Sequence, residues 1–266
     1  MKILILYFSG AGSTKYFCDI ISEEIKSFAE ISKLPVEEAM SKELPDHNVL
    51  LAMFPVYALD APKIFKDYIS SLPKVDGKGV YLICTHGGGP GNALRKIHKI
   101  LALKGYKLLG FSELFTIDSL IVFFVKEDSS LLKILEKKRL KSIEKAKKFA
   151  KKIEAELIEY QKDPNRSAGK IRLPFRLYDI VIYPMIQFLY NLGKKHLWKY
   201  FWVDENCTSC AKCVNICPLK NIYFSESKVK FGGNCIFCLR CLHNCPTKSI
   251  QVGKLTLGKY RLNYYK

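Results

Sequence analysis

The chain has 266 residues, 48% of them hydrophobic and 26% charged, which places it among globular chains and supplies one sizeable core and a smaller second unit. Basic residues outnumber acidic ones by 43 to 25, and the excess sits late: 15 against 14 in residues 1–127, 18 against 10 in 128–206, and 10 against 1 in 207–266. Such a field favours an anionic partner, whether an acidic protein, a nucleic acid or an anionic membrane surface.

The opening "MKILILYFSG" holds one Lys and a six-residue apolar run, too short for a signal-peptide core, so a cytoplasmic protein is expected. "KILILYF" (Lys2 to Phe8) reads as a parallel strand buried on both faces. After the loop "SGAGST", Phe17, Ile20, Ile21, Ile25 and Phe28 recur at spacings of three and four and predict a helix over Lys15 to Ala29. The unit repeats: "NVLLAMF" (Asn48 to Phe54) before a helix near Ile64 to Ser71, and "GVYLICT" (Gly79 to Thr85) before a helix near Asn92 to Leu103. A strand within Leu108 to Ile117 then precedes a long charged helix, from about Ser129 to Tyr160. On that helix Leu132, Leu135, Ile143, Ala146, Ala150, Ile153 and Leu157 mark a buried stripe, and the lysines a solvated face. The alternation predicts an α/β doubly wound parallel sheet with ligands at the carboxyl ends of its strands.

Three strand ends carry distinctive loops. "SGAGSTK" (Ser9 to Lys15) puts two glycines and hydroxyls at a helix N-terminus, where free backbone N–H groups and the helix dipole can hold a phosphate. It matches neither G-x-x-x-x-G-K-[ST] nor G-x-G-x-x-G, since Lys15 stands where the third glycine belongs. "FPVYALDAPK" offers Tyr57 as an aromatic face for a planar ring, and "THGGGPGNA" offers His86 and a glycine-rich close approach. With these residues together, the module over about residues 1–160 resembles flavodoxin. The resemblance implies FMN, with Ser9, Gly10, Ala11, Gly12, Ser13 and Thr14 at its phosphate. It also implies Pro55, Val56, Tyr57 and Ala58, with Thr85, His86, Gly87, Gly88, Gly89 and Asn92, around its isoalloxazine. Ala11 stands where the family usually has Thr, which removes one hydroxyl donor worth about 1 kcal/mol.

Eight of the ten cysteines lie in "CTSCAKCVNICP" and "CIFCLRCLHNCP", each C-x2-C-x2-C-x3-C-P and each continuing x-K-x-I. This is an internal duplication. Three thiolates two residues apart wrap one face of a cubane, while the fourth, followed by Pro, turns toward a second cluster. Cys207, Cys210, Cys213 and Cys245 would then hold one [4Fe–4S] cluster, and Cys235, Cys238, Cys241 and Cys217 the other. Zinc would usually bring C-x2-C pairs with a longer spacer, and disulfides suit an oxidising compartment. Residues 199–253 resemble the two-cluster bacterial ferredoxins, a small α+β fold, with Ile222 and Ile250 as sheltering core residues. Cys18 and Cys84, outside the repeat, read as buried small hydrophobes.

Residues 161–198 join the modules. "DPNRSAGK" (Asp163 to Lys170) reads as a turn or link. The aromatic stretch after it is broken by Pro184 and Gln187, too short to span a bilayer, and reads as a helical clamp, a partner-docking segment or a membrane-surface segment. Residues 254–266 form a C-terminal tail. Nucleic acid is not expected, because no recognition fold or aromatic platform accompanies the charge. The two modules together resemble the flavodoxin–ferredoxin fusion proteins called ferrodoxins. That resemblance implies electron transfer between two [4Fe–4S] clusters and FMN, and the basic charge favours a redox protein partner of acidic surface. Reduction of a small acceptor such as a quinone, and a cluster-based redox-sensing interaction protein, are the alternatives.

Overall fold

The computed structural model describes residues 1–162, 171–226 and 228–264. The expected link Asp163 to Lys170 lies outside the described residues. Five strands, β1 (Lys2–Tyr7), β2 (Glu30–Pro35), β3 (Val49–Pro55), β4 (Gly79–His86) and β5 (Lys107–Phe115), pair in parallel in the order β2-β1-β3-β4-β5. This is the flavodoxin-like doubly wound order, whose ligand crevice opens where the winding reverses, between β1 and β3.

The period of two sorts each central strand between two cores. Ile3 and Ile5 pack under α1 (Ser13–Ile25) and α5 (Ser130–Lys162), with Phe17, Ile21, Ala146 and Ile153. Leu4, Leu6 and Phe8 pack on the other side, with α2 (Val36–Ala39), α3 (Lys63–Ser71) and α4 (Ala93–Leu103). Cys18 and Cys84 are fully buried, and burial raises both thiols far above their ordinary range, as suits inert packing residues.

β2 is the element that sequence periodicity does not reveal. It is an edge strand beside β1 alone, and only Leu34 of its side chains is fully buried. The start of α5 agrees with expectation to one residue, and Leu132, Ala146, Ala150, Ile153 and Leu157 are buried along it.

His47, just before β3, is buried with its ring stacked on Tyr106. Nδ1 lies 2.9 Å from the Pro45 carbonyl and Nε2 3.1 Å from the Tyr106 hydroxyl, so Nδ1–H donates and Nε2 accepts. Burial lowers its pKa, so the unfolded chain takes up a proton before the folded one does. Stability present above the ordinary histidine value of about 6.5 is therefore lost as pH falls below it. Thermal unfolding is expected to show a lower midpoint at a pH of about 5 than at neutrality, with the difference reduced in His47→Gln.

The second module follows α6 (Tyr178–Leu197). Its elements are β6 (Phe201–Val203), α7 (Lys212–Ile216), β7 (Ile222–Ser225), β8 (Lys228–Phe231), α8 (Arg240–Asn244) and β9 (Ile250–Val252). β6 pairs antiparallel with β9 and β7 with β8. Ile222 and Ile250 are buried in it.

The duplication seen in sequence is repeated in the backbone. Ser209, Ala211 and Lys220 adopt φ of 53°, 57° and 51°, and their counterparts Phe237, Leu239 and Lys248 adopt 53°, 57° and 57°. Left-handed non-glycine residues cost of order 1 kcal/mol or more each, so their recurrence at matched positions marks a shape the surroundings enforce twice.

The two modules share apolar surface. Cys238 belongs to the core beneath Leu6 and Phe8, and Leu219 and Ile236 pack against it. Residues beyond β9 return to the first module. Leu262 and Tyr264 cluster with Ala11, Ile117, Ile121, Val125 and Leu132, and Tyr260 N–H donates to the Val125 carbonyl. α6 bridges both modules with its polar side: Tyr183 donates to Asp60 Oδ2 at 2.7 Å, Gln187 to the Ala58 carbonyl, and Tyr190 to the Ile236 carbonyl at 3.2 Å.

Candidate functional site

The loop after β1 turns into α1 through Gly12, whose φ of +107° lies in the left-handed region that glycine alone adopts readily. The cap position of α1 is thus a glycine with no side chain to offer, and no acidic residue occupies the helix's first turn. Ser9 Oγ accepts from Lys15 N–H at 3.0 Å, and Thr14 Oγ1 meets Thr85 Oγ1 at 2.8 Å, tying the first loop to the end of β4. Ala11, where the resemblance expects a hydroxyl, sits among Ile117, Leu262 and Tyr264. An apolar methyl suits that packing, since a buried hydroxyl would need a partner there.

These loops border a cavity of about 590 Å³ at the carboxyl ends of the strands, within the range of about 300–1,000 Å³ that small-molecule sites occupy. Of the residues anticipated from sequence, Gly10, Ala11, Ser13, Pro55, Val56, Tyr57, Ala58, Thr85, His86 and Gly87 line it. Ser9 and Gly12 line a neighbouring cleft instead, with Lys15, Glu37 and Arg240, and Thr14, Gly88, Gly89 and Asn92 do not line the cavity. Asn92 is engaged elsewhere: its N–H donates to Asp179 Oδ2, its Nδ2 to the Arg176 carbonyl, and its Oδ1 accepts from Arg176 N–H. Gly88 presents its carbonyl to His86 Nδ1 at 3.1 Å. Burial lowers the His86 pKa, so the ring is held neutral with Nδ1–H as donor.

Three walls of the cavity are absent from the sequence expectation. One is the loop and 3₁₀ turn after β5, Ile117 to Phe124; a second is the inner side of α6, with Ile186, Tyr190, Gly193, Lys194 and Leu197; the third is Phe237, Val252 and Leu255 of the second module. The first was available from the same strand-end argument, because "FTIDSLIVFF" follows a strand as the other loops do.

Tyr57 stands where the modules meet. A Cβ placed on Gly10 would lie 2.0 Å from the Tyr57 hydroxyl and 2.8 Å from the Cys238 carbonyl, so only glycine allows this approach. The hydroxyl is buried without a hydrogen-bond partner among the described residues. Burial, followed by the neighbouring Cys238 and Tyr190, raises the phenol well above its ordinary value and keeps it protonated.

The cysteines fall into two groups that cross the repeat. Cys207, Cys210 and Cys213 of the first copy and Cys245 of the second line one small cavity with Val203, Val229 and Ile250. Burial raises the Cys213 thiol, and Cys245 and Cys207 add to that rise. Burial likewise raises Cys235, Cys238 and Cys241, with Cys238 pushed up to about 12, and Cys217 of the first copy adds to each of the three. Backbone N–H groups of Asn221 and Phe237 point at Cys217 Sγ and Cys235 Sγ, at 3.3 and 3.4 Å. Among the described residues no group of three or more His, Cys, Asp or Glu is arranged to hold a single metal ion. The donor chemistry of each group is four thiols, the complement of a cubane in which each iron takes one thiolate.

No family model matches the chain, and no curated protein matches it. Among solved structures, a mutant flavodoxin from Pseudomonas aeruginosa is similar at 14% identity, with 59% of this chain and 99% of that one covered and a TM-score of 0.43. A flavodoxin from the domain Archaea is similar at 17% identity, covering 56% and 98%, with a TM-score of 0.37. General stress protein 14 of Treponema denticola, in complex with FMN, is similar at 10% identity, covering 56% and 97%, with a TM-score of 0.38. Likeness at these levels carries no argument about ligands; the fold assignment rests on the strand order itself.

Proposed function

We propose that the chain is an electron-transfer protein holding FMN in the strand-end cavity and a [4Fe–4S] cluster in each crossed cysteine group. The observation that carries this reading is the shared wall: Gly10 and Tyr57, which line the cavity, pack directly on Cys238. When bound, the flavin supplies one- and two-electron exchange and each cluster one-electron exchange, so the set couples the two kinds of redox partner.

The chain's own residues divide the remaining work. The N-terminus of α1, whose Lys15 N–H is taken by Ser9 Oγ, offers its other first-turn backbone N–H groups and a positive dipole end to a phosphate. Tyr57 offers an aromatic face that stays uncharged. Cys210 is exposed, which suits its group to an outside partner, while Cys238 is buried against Gly10 of the cavity wall, which suits its group to exchange with the cavity. The ten basic residues against one acidic in the last 60 favour an acidic redox protein as that partner.

Anaerobically purified protein is expected to release an equivalent of FMN in acid and about eight irons and eight sulfides per chain. In rapid mixing, reduction of the clusters is expected to be followed by bleaching of the flavin band. Colourless protein, or flavin and clusters that reduce without exchange, overturns the reading. A second reading, reduction of a small acceptor such as a quinone in the same cavity, is favoured by its apolar walls at Leu120, Phe123, Ile186 and Leu197. Steady-state turnover with candidate acceptors separates the two.

A further inference from the structure

α6 is built inside out. The side turned to the protein carries Asp179, Tyr183, Gln187 and Tyr190, all hydrogen-bonded to other elements. The side turned to solvent carries Leu177 just before the helix, then Val181, Met185, Phe188 and Leu192, at spacings of four, four, three and four, which form one continuous stripe. Leu177, Val181 and Phe188 are 72%, 78% and 68% exposed. The only charged residue between Leu177 and Leu192 is Asp179, and it is buried. Surface helices of water-facing proteins show the reverse arrangement, so this one has an apolar partner.

We propose that α6 lies in the headgroup region of an anionic lipid bilayer, with the Leu177–Leu192 stripe in its apolar boundary. Charge decides against a second copy of the chain, because each carries a net charge of +18 and the two would repel. A specific protein interface would need hydrogen-bonding groups around its apolar centre, and of the exposed side chains here only Tyr178 and Asn191 are polar. A bilayer accepts an apolar stripe without matched geometry. Cationic and amphipathic residues flank it as a lipid surface requires: Arg172 before the helix, and Lys199, Tyr200 and Trp202 after it, all exposed. No helix among the described residues is long and apolar enough to cross a membrane, so α6 lies along the surface.

The stripe continues into the mouth of the strand-end cavity. Leu189 is both exposed and part of the cavity wall, as are Leu120, Phe124 and Leu255. Docking through α6 turns that mouth toward lipid.

The test is flotation of the full-length protein with phosphatidylglycerol–phosphatidylcholine vesicles, against phosphatidylcholine alone. Binding to the anionic vesicles that weakens with salt and is accompanied by a blue shift of tryptophan emission is expected. Val181→Asp/Phe188→Asp is expected to bind at least roughly tenfold more weakly, with an unchanged unfolding midpoint because both side chains face solvent. Absence of vesicle binding overturns the proposal. Equal binding by the double variant overturns it too, since basic charge would then suffice. So does a self-associated or acidic-protein-bound form that the double variant disrupts while vesicles are ignored. The readout uses neither flavin nor cluster signals, so its outcome is independent of the redox reading.

Discussion

Cys217→Ala/Cys235→Ala is expected to retain one intact cluster, whereas Cys207→Ala/Cys217→Ala retains none. The two variants remove the same number of thiols and differ only in where those thiols lie. With crossed groups, Cys217 and Cys235 belong together, and their loss leaves Cys207, Cys210, Cys213 and Cys245 complete around their cavity. Cys207 and Cys217 belong to different groups, so their loss leaves each with three thiols. If each copy of the repeat ligated its own cluster, the outcomes would be exchanged. Iron and sulfide per chain, with electron paramagnetic resonance of the reduced protein, distinguish the cases. The expected readings are about half the parental iron for the first pair, and a spectrum free of intercluster coupling.

The second large effect is at Arg240, the first residue of α8. Its guanidinium donates to the Ser9 carbonyl through Nε and Nη2, at 3.1 and 2.7 Å, and to the Ile216 carbonyl through Nη1 at 3.1 Å. It also pairs with Glu37 Oε1 at 2.6 Å, both side chains being largely buried at 16% and 14% exposure. Among the described residues Glu37 Oε2 has no hydrogen-bond partner. Arg240→Met would leave a buried carboxylate uncompensated and three carbonyl contacts unmade, a loss of about 3–5 kcal/mol. The unfolding midpoint should drop by roughly 10 °C. Arg240→Met/Glu37→Met should recover most of that, because replacing both partners of a buried pair is often close to neutral. Flavin affinity separates the roles. The double variant should still bind FMN less tightly than the parent, since Ser9 has lost the donor that holds the turn before α1. Equal midpoints for parent and single variant would remove Arg240 from the set of residues that join the modules.

Much of the fold was legible because central parallel strands are apolar on both faces. β1, β3 and β4 read as uninterrupted runs, and the helices between them as amphipathic patterns. β2 was not, since its solvated edge calls for no such run. The cysteine repeat was legible as a duplication, and its x3-C-P step anticipates the meeting of Cys245 with Cys207, Cys210 and Cys213 at one small cavity. At the cavity, the loops after β1, β3 and β4 could be found from glycines and a lone tyrosine. The loop after β5 follows its strand as the others do and was open to the same argument, but it carries neither the glycines nor the lone aromatic that marked them. The α6 wall was hidden for a deeper reason. Periodicity locates an apolar side but assumes it turns inward, and here the polar side does. Contacts such as Tyr183 with Asp60, 123 residues apart in sequence, are visible only once the chain is folded.

The returning C-terminal segment ties the two modules together so that simple excision would not separate them cleanly. Tyr264 donates to the Ile117 carbonyl and meets the Thr116 hydroxyl, while His243, at the end of α8, accepts from Leu262 N–H and reaches the Ser119 carbonyl. A fragment comprising only the five-stranded unit would bare Ile117, Ile121 and Leu132 to water and lose two sides of its ligand chamber. What looks from its motifs like beads on a string is therefore expected to melt in one transition, with the excised five-stranded unit melting well below the full chain in calorimetry.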